Sequence, residues 1–148
     1  MFSEESMASI SKTSEYAFSP AIKHLAELIQ RSGCEAYVVG GAVRDMLLGL
    51  NPGDVDIVVD SHPMEIAEQL SRYLSAKYFK LHDHHSTVRV LFQSEEFNQC
   101  AVDISAMKVS IMHDLTHRDF TCNALALPIE LASSSWGVAQ IIDGAAGI

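Results

Sequence analysis

Asp54 and Asp56 stand two apart in DVDIVV (54–59), a run otherwise built from β-branched apolar residues. Side chains alternate faces along a strand, so both carboxylates project from one face and Val55 and Ile57 from the other. Their Cα atoms then lie about 6.6–7 Å apart, near enough for both to lean over one divalent cation. Bare carboxylates at that spacing repel each other, and a bound cation relieves the repulsion. Mg²⁺ favours oxygen ligands and typically takes one or two carboxylates together with substrate phosphates. The competing reading is a solvated pair of aspartates after the turn at Asn51-Pro52-Gly53, and a DxD pair alone does not decide between the two.

A second feature lies 13–16 residues upstream. Gly40-Gly41 follows the apolar run Tyr37-Val38-Val39 and precedes a helix-like segment, which places it at a strand-to-helix turn. The start of a helix offers N–H groups and a partial positive charge to an anion. Glycine lets a phosphate approach the backbone closely. Arg44, one turn in, can add a forked contact to a phosphate, with Asp45 bracing it. A tight turn with a solvated Arg–Asp helix face would read the same way. A phosphate cradle and a metal pair together describe a nucleoside-triphosphate site.

The elements that must position these groups are legible in outline. Ser19-Pro20 opens a helix with a side-chain cap and proline at its first position, and Ile22, Leu25, Ala26, Leu28 and Ile29 recur at helical spacing up to Gly33. Strands are expected at 37–39 and 55–59, with a short helix over 42–48 between them. Pro63 starts another helix, with Met64, Ile66, Ala67, Leu70, Tyr73 and Leu74 on its apolar side. Further strands are expected at 78–81, 88–92, 101–104 and 140–142, and a helix within 115–127. This order describes an α/β (α+β) fold, a mixed β-sheet with helices packed on it. Asp103, in the strand-like CAVDISA, is the candidate third carboxylate; Glu95 and Glu96 are weaker candidates, because SEEFN reads as a hairpin turn.

Composition narrows the classes. The chain has 148 residues, enough for one domain with a core of its own, and 48% apolar with 20% charged residues is a globular balance. Residues 1–18 read as a flexible N-terminal segment rather than a secretory signal, and 19–148 as the domain; no run is long enough to span a bilayer, which gives a cytoplasmic, membrane-free expectation. Cys34, Cys100 and Cys122 are widely spaced and read as thiols in a reducing compartment. His82, His84 and His85 lack partners at zinc-ligand spacing. A net charge of −9 is not the footprint of a nucleic-acid-gripping surface, while it suits a site that gathers divalent cations.

GGAVRDMLLG (40–49), followed four residues later by DVDIVV, resembles the signature of the tRNA nucleotidyltransferase and bacterial poly(A) polymerase family, in its class II branch. DLTHRDFTCNALAL (114–127) resembles that family's RRDFTxNA ribose-recognition motif, and IIDGAAGI (141–148) is similar to the Asp-Pro-x-x-Gly segment beyond it. The resemblance implies a nucleotidyltransferase fold catalysing template-independent transfer of NMP from an NTP, ATP or CTP, to an RNA 3′-hydroxyl. It implies that Gly40, Gly41 and Arg44 hold the triphosphate, that Asp54 and Asp56 ligate two Mg²⁺ ions, and that Asp103 is the further acidic residue. Arg118, Asp119 and Asn123 match the polar positions of the ribose motif, with Asp119 and Arg118 orienting the ribose. Asp119 and Asn123, four apart, would share one helix face, while a helix cap at Asp119 is a compatible role.

Two departures from the pattern matter. Only residues 104–117 separate Asp103 from Arg118, where CCA-adding members carry a longer loop, so poly(A), A and C addition all stay open; His117 stands where the family has arginine. The family's base-selecting helix and tRNA-binding body follow the head domain and lie outside these 148 residues. A chain of this extent is therefore expected to bind Mg-NTP weakly and extend RNA, a tRNA end or poly(A), poorly. The rival classes are a non-catalytic nucleotide- or RNA-binding module on the same fold, and a nucleotidyltransferase acting on a non-RNA substrate. The full set of glycine, carboxylate and ribose motifs speaks against both.

Overall fold

The computed structural model describes residues 15–50, 52–81, 87–93, 100–117 and 124–144. Helix α1 (Pro20–Arg31) begins where Ser19 Oγ accepts a hydrogen bond from the Ile22 N–H at 3.4 Å, and it ends at Ser32 ahead of Gly33, whose φ is +80°. Strand β1 (Ala36–Val39) follows, then α2 (Gly41–Leu47), β2 (Asp54–Val59) and α3 (Pro63–Leu74). Next come β3 (Lys77–Lys80), β4 (Val88–Phe92), β5 (Cys100–Ala106), α4 (Ile111–Thr116), β6 (Leu125–Pro128), α5 (Ile129–Ala132), a 3₁₀ turn (Val138–Gln140) and β7 (Ile142–Asp143).

Among the described residues the strands form one seven-stranded mixed sheet in the order β3-β4-β5-β2-β1-β6-β7. The β2–β5 pair is parallel and the other neighbours are antiparallel. The period-2 patterns in the sequence become two unlike faces. One face, with Val38, Val55, Ile57, Val59, Val90, Val102, Ile104, Leu125 and Leu127, packs under α1, α2, α3 and α5 in the main core. Full burial of each such aliphatic side chain contributes about 1.5–3 kcal/mol. The other face carries Asp54, Asp56 and Asp103, and among the described residues only part of it is covered. There Leu115 of α4 closes over Val39, Val58 and Ala126 in a smaller cluster.

The structure departs from the sequence reading at several points. Of the helix expected within 115–127, residues 118–123 lie outside the described residues; a helix covers 111–116, and Leu125–Pro128 is a strand, with Leu125 and Leu127 buried against the core beside β1. The final strand is Ile142–Asp143, displaced from 140–142 by the 3₁₀ turn, and α5 after Pro128 was not foreseen. Tyr73 does not join the apolar side of α3: it is 57% exposed, its ring 4.6 Å from that of His24. Tyr16 forms a two-way backbone bridge with Trp136, and Phe18 is buried beside that indole, so the folded body reaches ahead of residue 19. The link after Asp103 is itself structured, since α4 occupies residues 111–116 of it. His82, His84, His85, Glu95, Glu96 and Cys122 lie outside the described residues.

Candidate active site

The carboxylates sit where strand alternation puts them. Asp54 and Asp56 are exposed on one face of β2, with Val55 and Ile57 buried on the other. Parallel pairing with β5 sets Asp56 directly beside Asp103. Antiparallel pairing of β5 with β4 then sets Asp103 beside Arg89. Residues facing one another in a ladder share a sheet face, so Asp56, Asp103 and Arg89 form one row across three strands.

Asp103 is not an open ligand. Arg89 Nε donates to Asp103 Oδ1 at 2.8 Å and Nη2 donates to Oδ2 at 3.0 Å, so both carboxylate oxygens are engaged by one planar fork. The pair is partly exposed, with 38% of the Arg89 side chain and 21% of the Asp103 side chain open to solvent. These contacts hold the Arg89 guanidinium more firmly protonated than usual, first through the hydrogen bonds it donates to Asp103 and then through the Asp103 charge; Asp54 and Asp56 add to the effect against a desolvation cost.

The glycine turn lies at the same end of the sheet. Val39 faces Asp56 across β1 and β2, so Gly40-Gly41 comes next to the start of β2, where Asp54 lies. Gly40 has φ +74° and ψ −137°, a conformation that a side chain would disfavour. Its N–H donates to the Leu125 carbonyl at 2.9 Å, so the turn does not present both glycine amides to a ligand as expected. Gly41, the first residue of α2, retains a first-turn N–H that no helix satisfies internally. The Arg44 guanidinium folds back over it, and a Cβ at Gly41 would meet Nη2 at 3.0 Å. Arg44 Nε and Nη2 both reach Asp45 Oδ1, at 3.2 and 3.1 Å, which is the bracing contact the sequence allowed.

A cleft of about 420 Å³ opens beside this row, bounded by Asp56, Asp103, Ser105, Lys108, His113 and His117 among others. His113 and His117 stack with centroids 4.1 Å apart, and His117 Nδ1 lies 2.8 Å from the His113 carbonyl. Arg118, Asp119 and Asn123 lie outside the described residues. Among the described residues no three histidine, cysteine or acidic side chains gather closely enough to hold a metal by themselves. The donor set instead fits a hard cation sharing Asp54 and Asp56 with ligand oxygens, as Mg²⁺ prefers.

The family model for the poly(A) polymerase head domain matches residues 36–148. The chain belongs to that family. Relatives of this head domain include a CCA-adding enzyme of Lactobacillus johnsonii, 34% identical over 125 residues covering 76% of this chain and 30% of the relative. A CC-adding tRNA nucleotidyltransferase of Halalkalibacterium halodurans is 42% identical over 96 residues, covering 64% of this chain and 23% of its own length. The solved structure of the Thermotoga maritima CCA-adding enzyme complexed with tRNA_CCA superposes with a TM-score of 0.66 at 29% identity, over 94% of this chain and 31% of that one. The chain thus spans less than a third of each of these proteins. The mixed sheet with its packed helices is the nucleotidyltransferase fold of these CCA-adding relatives.

Arg89 is one residue of this site that the sequence did not reveal. Its signal was the same as for the aspartates, a charge interrupting the apolar run VRVLF. Lys108 and His113 were missed as well, since nothing local tells that α4 folds against the carboxylate face.

Proposed function

We propose that this head domain binds an NTP, ATP or CTP, as its Mg²⁺ complex and catalyses transfer of the NMP to an RNA 3′-hydroxyl with release of pyrophosphate. The observation that carries the reading is the convergence at one sheet end of the Gly40-Gly41 turn, the Asp54/Asp56 pair and Asp103 in register beside Asp56. Gly41 and Arg44 hold the triphosphate, with Gly40 shaping the turn. Asp54 and Asp56 hold two Mg²⁺ ions, and Asp103 is the third carboxylate of the centre. When bound, such ions stabilise charge on the attacking and leaving oxygens of an in-line displacement. What remains for the chain is positioning and the exclusion of misaligned encounters. Asp119 and Arg118 orient the ribose, and Asn123 belongs to the same nucleotide-binding block.

Relatives named for CC and CCA addition point to a tRNA 3′ end as acceptor, with poly(A) addition the other outcome within the family. The setting is the cytoplasm, where NTPs and RNA ends meet. At −9 overall, the 148 residues are not a basic RNA-gripping surface, so most of the RNA grip comes from elsewhere. The test is isothermal titration of Mg-ATP and Mg-CTP into the wild type and an Asp54→Ala, Asp56→Ala double variant. Binding that disappears in the variant supports the reading, and equal affinity in both would sink the metal assignment.

A further inference from the structure

The row Asp56–Asp103–Arg89 places a fixed cation inside a cluster meant for a mobile one. Arg89 sits on β4, which is antiparallel to β5, and the register puts it opposite Asp103 rather than one residue away on the core face. Its guanidinium takes both oxygens of Asp103 at 2.8 and 3.0 Å. A guanidinium has five N–H donors and no accessible neutral form, so it acts as a permanent +1 charge in a fixed orientation. Asp54 and Asp56 also lie within electrostatic range of that charge. Asp54 and Asp56 are exposed on the strand face, and Asp103 holds the fork of Arg89.

We infer that Arg89 is the resident counter-ion of this carboxylate cluster, and that a divalent cation must compete with it for Asp103. The inference rests on the metal reading of Asp54 and Asp56 given above. In the cation-free chain Arg89 offsets the charge of Asp103, one of the three carboxylates of the cluster, and holds that carboxylate in the row. A dication approaching Asp54 and Asp56 meets the field of Arg89, which weakens its binding, and it recruits Asp103 only when the fork lets go. Arg89 is therefore a positioning residue that sets the cation affinity of the site and delays its completion. Among the described residues the ladder sets Arg89 on the β4 side of Asp103 and Asp56, a second carboxylate, on the β2 side.

The competition has a direction that a purely structural ion pair would not produce. Removing the charge should strengthen cation binding, and keeping it should not. Mn²⁺, read by electron paramagnetic resonance as free and bound ion, serves as the probe on the 148-residue chain. Arg89→Gln is expected to bind Mn²⁺ about tenfold more tightly than wild type, the scale of one unit charge at close range near a surface. Arg89→Lys keeps the charge and should stay within about twofold of wild type. Adding Asp103→Asn to Arg89→Gln should abolish the gain, since the freed ligand is then gone. Thermal melts of each variant establish that the comparison is between folded chains. Mn²⁺ binding that is lost in Asp54→Asn, Asp56→Asn but unchanged or weakened by Arg89→Gln overturns the inference while leaving the metal reading intact. No Mn²⁺ binding in either wild type or Arg89→Gln overturns both.

Discussion

Asp56 and Asp103 are direct neighbours in the parallel pairing of β2 with β5, although 46 residues of chain separate them. Parallel neighbours need a crossover, and here it runs through α3, β3 and β4. The crossover brings Arg89 as well, because β4 returns along the outer side of β5. One connection thus delivers both a carboxylate and its counter-charge to the Asp54/Asp56 pair.

The roles of the three carboxylates should separate in a transfer assay. In a chain competent for RNA extension, Asp54→Ala and Asp56→Ala are each expected to lower incorporation of labelled nucleotide by at least about 100-fold, as loss of a metal ligand does in phosphoryl chemistry. Asp103→Asn is expected to act on the rate while leaving Mg-ATP binding nearly unchanged, because Asp103 is already held by Arg89 when nucleotide arrives. A tight-binding, slow Asp103→Asn variant is the outcome to look for in parallel titration and incorporation measurements.

The two glycines of the turn should fail differently. Gly40→Ala forces a side chain into φ +74°, ψ −137° and is expected to cost about 1–3 kcal/mol in urea unfolding. Gly41→Ala has no such backbone conflict, but its Cβ would press on Arg44 Nη2 at 3.0 Å. The melt of Gly41→Ala should stay close to wild type while Mg-ATP affinity falls several-fold. Unchanged affinity would remove Arg44 from the triphosphate site.

Helix α4 is six residues long, too short to persist without packing. Leu115, buried to 1% exposure, pins it over Val39, Val58 and Ala126. Leu115→Ala is expected to destabilise the domain by about 2–5 kcal/mol and to speed amide exchange through 111–116. Since His113 and His117 flank the cleft on this segment, hydrogen-exchange mass spectrometry of the variant would show the wall of the cleft loosening first.

Tyr37 carries the pH dependence that can be worked out from the structure. Burial first, then the hydrogen bond its hydroxyl donates to Glu35 at 2.7 Å, then the charges of Glu35 and Glu130, push its pKa from 10.0 up to about 12. Folding favours the protonated phenol, so its contribution is fully present below pH 10 and is lost as pH rises through about 12. Urea unfolding between these values should show stability falling with pH in wild type and a shallower slope in Tyr37→Phe.

Much of this protein was legible from its residues one stretch at a time. Alternation in DVDIVV determined that Asp54 and Asp56 share a face, the Ser19-Pro20 pair determined where the first helix starts, and Gly40-Gly41 marked the turn. These are properties of adjacent residues, governed by steric rules that act over one turn or one pleat. The RDFTCN block is read from sequence as a motif only, and residues 118–123 lie outside the described residues.

Register and pairing were not legible, because they depend on which distant strand comes alongside and by how many residues it is offset. A shift of one residue on β4 would turn Arg89 into the core and leave Asp103 without its fork. The same holds for Gly40, whose amide is taken by Leu125 from a strand that local sequence resembled as helix. Sequence alone determined that this chain carries two carboxylates on one strand face and a glycine turn at a strand-to-helix junction. Only the tertiary structure decided that one carboxylate stands in an ion pair, since cross-strand contacts are set by the packing of the whole sheet against its core.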